Sequence, residues 1–133
     1  MTVESGLVAF LAAKTDLVSA RIYPQILPET CTFPALTYQL ISAIPDYDLT
    51  GPSDLTQARI QITIWGRSAA AYLDVKTLAA KVKGYLSGYS GTWGSLEIQG
   101  VFLEGEMDVM VISPEANILQ SRAVQVDATI LYR

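Results

Sequence analysis

The sequence predicts an α+β domain: a four-stranded, mainly antiparallel sheet with two helices packed on it, in the order α-β-β-α-β-β. Three observations predict it. Residues 58–65 alternate strictly, with Ile60, Ile62 and Ile64 set against Arg59, Gln61 and Thr63, the period of a half-buried strand. The C-terminal residues repeat this pattern, with Val124, Val126, Ala128, Ile130 and Tyr132 interleaved by Gln125, Asp127 and Thr129. Between the two, Val75, Leu78, Ala79, Val82, Tyr85 and Leu86 recur at helical spacing. Runs of strands separated by helices, with no βαβ alternation, give α+β.

The first helix is expected over Val3–Lys14, with Thr2 as N-cap and Glu4 in the first turn, where an acid suits the helix dipole. Val3, Leu7, Phe10 and Leu11 form its stripe. Val8, Ala9 and Ala12 make the other side apolar too, as in helices buried on more than one face. Arg21–Pro24 reads as extended, because Pro24, Pro28 and Pro34 forbid a helix. Leu36, Tyr38 and Leu40 alternate along a first strand over 36–41. Ile44–Asp54, which holds Pro45, Gly51 and Pro52, reads as a long turn-rich loop.

Ser68 is the expected N-cap of the second helix, Ala69 to about Ser87. Its outer side carries Ala69, Leu73, Ala80 and Gly84. Small residues there allow close approach of a neighbour, or serve simply as helix filler. Gly88–Gly94 reads as a turn. It lacks the lysine of a phosphate-binding loop, follows a helix and precedes a strand. A third strand over 96–104 would place Leu96, Ile98 and Phe102 on one face. Met107–Ile118 is apolar and too long for a tight hairpin. Either its first part extends the strand or it forms a contact surface, for which Met-rich segments are suited.

Composition narrows function. The 133 residues make a single domain, 1–133; half are hydrophobic, only 17% are charged, and mean hydropathy is +0.31. A domain of this size buries roughly 70% of its unfolded surface, so the chain has apolar surface to spare. Its apolar runs fall well short of the ~20 residues of a spanning helix, and no signal peptide or membrane association is expected. Burial against partners remains. The net charge of −4 and the lack of any Lys/Arg block argue against nucleic-acid binding driven by phosphate contacts. There is no histidine, which removes Ser-His-Asp and Cys-His catalysis and most zinc and non-haem iron sites. Cys31, the single cysteine, has no intrachain disulfide partner and reads as an inert thiol in a reducing compartment.

Glu104, Glu106 and Asp108 fall at i, i+2 and i+4. On a regular strand they would line one face and could hold Ca²⁺ or Mg²⁺; the alternative is a solvated strand end that discourages edge pairing. Asp46, Asp48 and Asp54 read as turn formers rather than acid–base groups. Tyr72, Tyr85, Tyr89 and Trp93 lack the basic interleaving of a base-stacking surface and are expected to pack the helix end onto the sheet. Arg59 and Arg67 are expected ion-pair partners.

An ordered set of segments runs through the whole chain: Asp16-Leu17-Val18, Arg21-Ile22-Tyr23-Pro24, Phe33-Pro34-Ala35-Leu36-Thr37-Tyr38, Asp48-Leu49-Thr50-Gly51-Pro52-Ser53, Ala58–Ile62 before Trp65, Tyr89–Gly94 and Ile98–Glu104. This set resembles the tail completion (tail terminator) proteins of long-tailed bacteriophages and prophage-derived particles. The segment after Glu104, with Met107 and Met110, departs most from that pattern. The resemblance implies a non-enzymatic structural virion protein with no cofactor. It would form a homo-hexameric ring on the head-proximal end of the tail tube, end tube polymerisation and join the head-tail connector or stopper protein. DNA would pass through the lumen without specific binding. Such a protein is made in the bacterial host cytoplasm and resides in the virion at the head-tail interface. Its partners would be the tail tube protein and the connector.

On that reading, the expected interface residues are Tyr47, Leu49, Gly51 and Pro52 in the long loop and Leu73 and Ala80 on the second helix. Met107, Val109, Met110, Val111, Ile112 and Pro114 are expected to join them from the Met-rich segment. Helices apolar on two sides suit ring packing, in which each subunit offers two different surfaces. An acidic chain suits a channel that must release DNA. The alternatives are a head-completion or tube protein and, from another class, a small metal enzyme using Glu104, Glu106 and Asp108.

Overall fold

A computed structural model of the chain describes residues 2–14, 22–25, 34–67, 72–112 and 120–133, with the side chains at 67, 72, 109–112 and 120–122 left aside. The elements run α1 (Val3–Ala12), β1 (Ile22–Pro24), β2 (Ala35–Asp48), β3 (Gly51–Arg67), α2 (Tyr72–Leu86), β4 (Gly91–Trp93), β5 (Leu96–Ile112) and β6 (Gln120–Tyr132). The fold is α+β, but the expected four-stranded sheet is corrected to six strands in the order β1-β2-β3-β6-β5-β4. The sheet is mixed, because β1 pairs parallel with β2 while every other pair is antiparallel. The added strands β1 and β4 are three residues each, too short for alternation to announce them. Part of the Gly88–Gly94 turn is thus strand β4.

One face of the sheet carries the core. Ile60, Ile62 and Ile64 of β3 lie beside Val124, Val126, Ala128 and Ile130 of β6, all buried. Helix α2 lies across β3, β6 and β5 and seats Val75, Ala79, Val82 and Leu86 on this face. Helix α1 adds Val3, Leu7 and Leu11 to the same cluster and approaches β4. Thr2 caps α1: its hydroxyl accepts from the Ser5 N–H at 3.1 Å, and the Ser5 hydroxyl accepts from the Thr2 N–H at 3.1 Å. Gly6 lets α1 come this close, since a Cβ there would stand 2.9 Å from Trp93 Cβ.

The other face is polar along β3 and β6, and among the described residues no helix covers it. Arg59 donates to Asp127 at 3.3 Å, Gln61 to Gln125 at 3.2 Å, and the Trp65 indole to the Thr37 hydroxyl at 2.9 Å. Thr37, Thr63 and Thr129 are nonetheless buried by these neighbours.

Two readings of strand faces change because of β-bulges. A register shift between Ile98 and Gly100 moves Phe102 from the expected core row to the open face opposite Thr129, where it is exposed. A second, between Leu103 and Gly105, separates Glu104 from Glu106 and Asp108.

Residues 44–54 are not a long loop. β2 continues to Asp48, Leu49 and Thr50 alone make the turn, and β3 begins at Gly51, whose φ of +127° glycine supplies. Register shifts between Leu40 and Ser42 and between Pro45 and Tyr47 bend this ribbon. The prolines that made it read as a loop are tolerated because bulges and edge strands are where a missing N–H matters least. β6 meets β3 only from Thr56 onward, so residues 46–55 project past the sheet as a two-stranded arm.

The Met-rich segment is strand as far as Ile112, paired to Gln120 of β6. No described helix is long and apolar enough to cross a membrane.

Candidate interaction surfaces

Glu104, Glu106 and Asp108 do not converge. Glu104 accepts from the Thr129 hydroxyl at 2.8 Å on the open face. Glu106 and Asp108 turn to α2, where Lys76 lies 2.6 Å from Asp108 and Lys83 lies 3.3 Å from Glu106. The bulge at Leu103/Gly105 breaks the one-face arrangement that regular i, i+2, i+4 spacing gives. Among the described residues no group of three or more potential metal ligands forms.

The aspartates of the arm organise backbone. Asp48 Oδ1 accepts from the Thr50 N–H at 2.8 Å and from its hydroxyl at 2.6 Å. These two donors, the hydroxyl first, hold the Asp48 carboxyl below its ordinary pKa. Asp46 accepts from the Ser53 hydroxyl across the ribbon. Asp54 adopts a left-handed φ of 66°, which a short polar side chain tolerates.

The arm and its base present apolar side chains to solvent. Ile44 is 61% exposed, Tyr47 66% and Leu49 fully so. Large apolar groups gathered on one projecting element are the surface sign of a partner site. Gly51 and Pro52 complete its turn.

The other expected interface residues lie elsewhere. Leu73 (74% exposed) and Ala80 occupy the outer face of α2. Met107 is exposed on the open face of the sheet, opposite Gln125. Val109, Met110, Val111 and Ile112 are strand by backbone, with side chains outside those described; Pro114, Cys31 and Ser68 lie outside the described residues. The eleven of these residues that are described therefore do not form one patch. They divide among the arm, the back of α2, the open sheet face and the far end of β5.

An aromatic cluster joins α1 to the segment that follows α2. Phe10 of α1 stands 4.5 Å from the Tyr89 ring and 5.5 Å from Trp93, with Tyr89 stacked on Trp93 at 5.8 Å. Lys14 lies over the Phe10 ring at 4.6 Å and near Tyr85 at 5.0 Å. A cleft of about 240 Å³ opens here, lined by Gly6, Ala9, Phe10, Tyr89, Thr92, Trp93 and Gly94. The Trp93 Nε1 is buried and has no hydrogen-bond partner among the described residues. The aromatic packing expected of Tyr89 and Trp93 at the end of α2 includes Phe10 of α1 as well. The missing signal is tertiary: Phe10 belongs to the other helix, and Gly6 brings that helix onto β4. Arg59 is ion-paired as expected, and the Arg67 side chain is outside those described.

A family model described as Tail completion protein gp17 matches residues 6–110. No curated protein matches the chain. Among solved structures, a chain from "Virion of native gene transfer agent (GTA) particle" is similar in fold. It has a TM-score of 0.75 over 98% of this chain and 95% of that one, at 16% identity.

Proposed function

The chain belongs to the Tail completion protein gp17 family, and from that premise we propose that it closes the head-proximal end of a tail tube as a hexameric ring. It is a structural protein of the virion tail. In the proposed role it ends tube polymerisation and offers the surface onto which the head-tail connector or stopper docks. DNA crosses the lumen of the ring without specific binding, in keeping with a net charge of −4.

The observation that carries this reading is the family match over residues 6–110. The projecting arm supports it. Tyr47, Leu49, Gly51 and Pro52 stand on an element that contributes little to the core and displays apolar surface. We assign these residues to contacts with neighbouring subunits or adjoining rings. Leu73, Ala80, Met107, the 109–112 strand end and Pro114 are further contact candidates.

The test is tube assembly in vitro. Tube protein polymerising alone should give tubes of uncontrolled length, and adding this chain should halt growth with one ring per tube, visible by electron microscopy. Removing Asp48–Ser53 should leave the domain folded and abolish the halt. Unchecked growth with the intact chain overturns the capping role, and growth of long tubes from this chain alone would make it a tube protein instead.

A further inference from the structure

The arm tip and the aromatic cleft sit at the same end of the sheet but on opposite sides of it. One row crosses the sheet through Pro45, Thr56, Tyr132, Ile98 and Gly91. Leu49 lies beyond that row on the β2–β3 side, and Trp93 lies beyond it on β4, the far edge strand. Two strands, β6 and β5, intervene, so the two features cannot meet within one chain.

We propose that the cleft at Phe10, Tyr89 and Trp93 receives the Leu49 tip of a second copy of this chain. The contact is heterologous and head-to-tail, the type that generates a ring when its rotation closes. It rests on the ring reading and specifies the contact that closes the ring.

Three observations fit donor to acceptor. Leu49 is wholly exposed, yet the turn that carries it is pinned by Asp48 and Thr50, so little ordering is lost when it docks. The cleft is walled by the rings of Phe10, Tyr89 and Trp93 and opens about 240 Å³ to an incoming side chain. Charge is complementary. Residues 42–58 contain Asp46, Asp48 and Asp54 and no lysine or arginine, while Lys14 stands over Phe10 beside the cleft.

The test pairs two variants. Leu49→Asp spoils the tip and Ala9→Trp fills the cleft from an exposed position on α1. By light scattering at several concentrations, each alone should need at least tenfold more protein than the unmodified chain to associate, with an unchanged circular dichroism spectrum. Mixed in equal amounts they should form a dimer and stop. The mixture retains one good cleft, on the Leu49→Asp chain, and one good tip, on the Ala9→Trp chain.

In a Cys31→Ser background, Leu49→Cys and Ala9→Cys chains mixed at high concentration should form a disulfide-linked pair. A Leu49→Cys and Thr77→Cys mixture should not. No cross-link above that control overturns the proposal, whatever the oligomeric state. A closed ring without the cross-link removes this contact and leaves the ring. A cross-link formed while tubes grow unchecked keeps the contact and removes the capping role.

Discussion

The six-stranded body and the two-stranded arm are made from the same strands, β2 and β3, yet they treat apolar residues in opposite ways. Within the body, Ile60, Ile62 and Ile64 are covered by α2 and flanked by β6. A few residues earlier on β3 and later on β2, the strands lose β6 and the helices, and Tyr47 and Leu49 face solvent. Burying an aliphatic side chain stabilises by roughly 1.5–3 kcal/mol. The body gains that on folding, whereas the arm can gain it only against a second molecule. The surplus of apolar residues therefore does not signal an oversized core. Much of it stands where folding leaves it exposed.

An arm that stabilised the fold would belong to the same cooperative unit as the body, and a series of substitutions from the body outward measures this. Ile62→Ala should cost about 2–5 kcal/mol and lower Tm by about 10–20 °C, because a fully buried site flanked by β6 cannot collapse around the loss. Trp65→Phe removes the indole donor to Thr37 and should cost about 1 kcal/mol in denaturant unfolding. Lys83→Ala, whose partner Glu106 is partly exposed, should cost less than about 1 kcal/mol and the effect should fade with added salt. Tyr47→Ser should change stability by no more than about 0.5 kcal/mol while impairing tube capping. A Tm loss at Tyr47 comparable to that of Trp65→Phe would place the arm inside the cooperative unit.

The smallest effect is local and depends on pH. Asp48 has its pKa lowered in the folded chain by the Thr50 donors. Its contribution to tip order is therefore present above the unfolded carboxylate value and is lost as pH falls through the lowered folded one. Acidification should speed amide exchange at Thr50 while the amides of Ile62 and Val126 stay protected. Simultaneous loss at all three would show that arm and body open together.

The body was the legible part of the sequence. Strict alternation over 58–65 and 124–132 and the helical stripe over 75–86 report burial on one face, and burial on one face is what periodicity encodes. Edges and ends were not legible. The strands of three residues carry too little pattern. The bulges near Gly100 and Gly105 reverse the faces of Phe102 and Glu104 without changing their spacing in sequence. The arm, with its two prolines, carries the composition of a loop and the backbone of a hairpin, because a ribbon outside the sheet has few ladder bonds for proline to break. The aromatic cleft depends on how close α1 comes to β4, a distance set by Gly6 that no local pattern reports.

The irregularities along the two outer strands have a consequence for growth. β1 covers only Leu36–Tyr38 of β2, and β4 covers only Leu96–Ile98 of β5, so among the described residues both flanks expose long stretches of strand backbone. Each stretch is spoiled as a template. β2 carries two bulges and Pro45; β5 carries two bulges and the acids Glu104, Glu106 and Asp108. A third copy or a misfolded chain finds no straight, neutral rail on which to add a strand. Copies of this chain can recognise one another by side chains seated in shaped sites, but not by endless backbone pairing, and a molecule proposed to end a polymer thereby does not seed another.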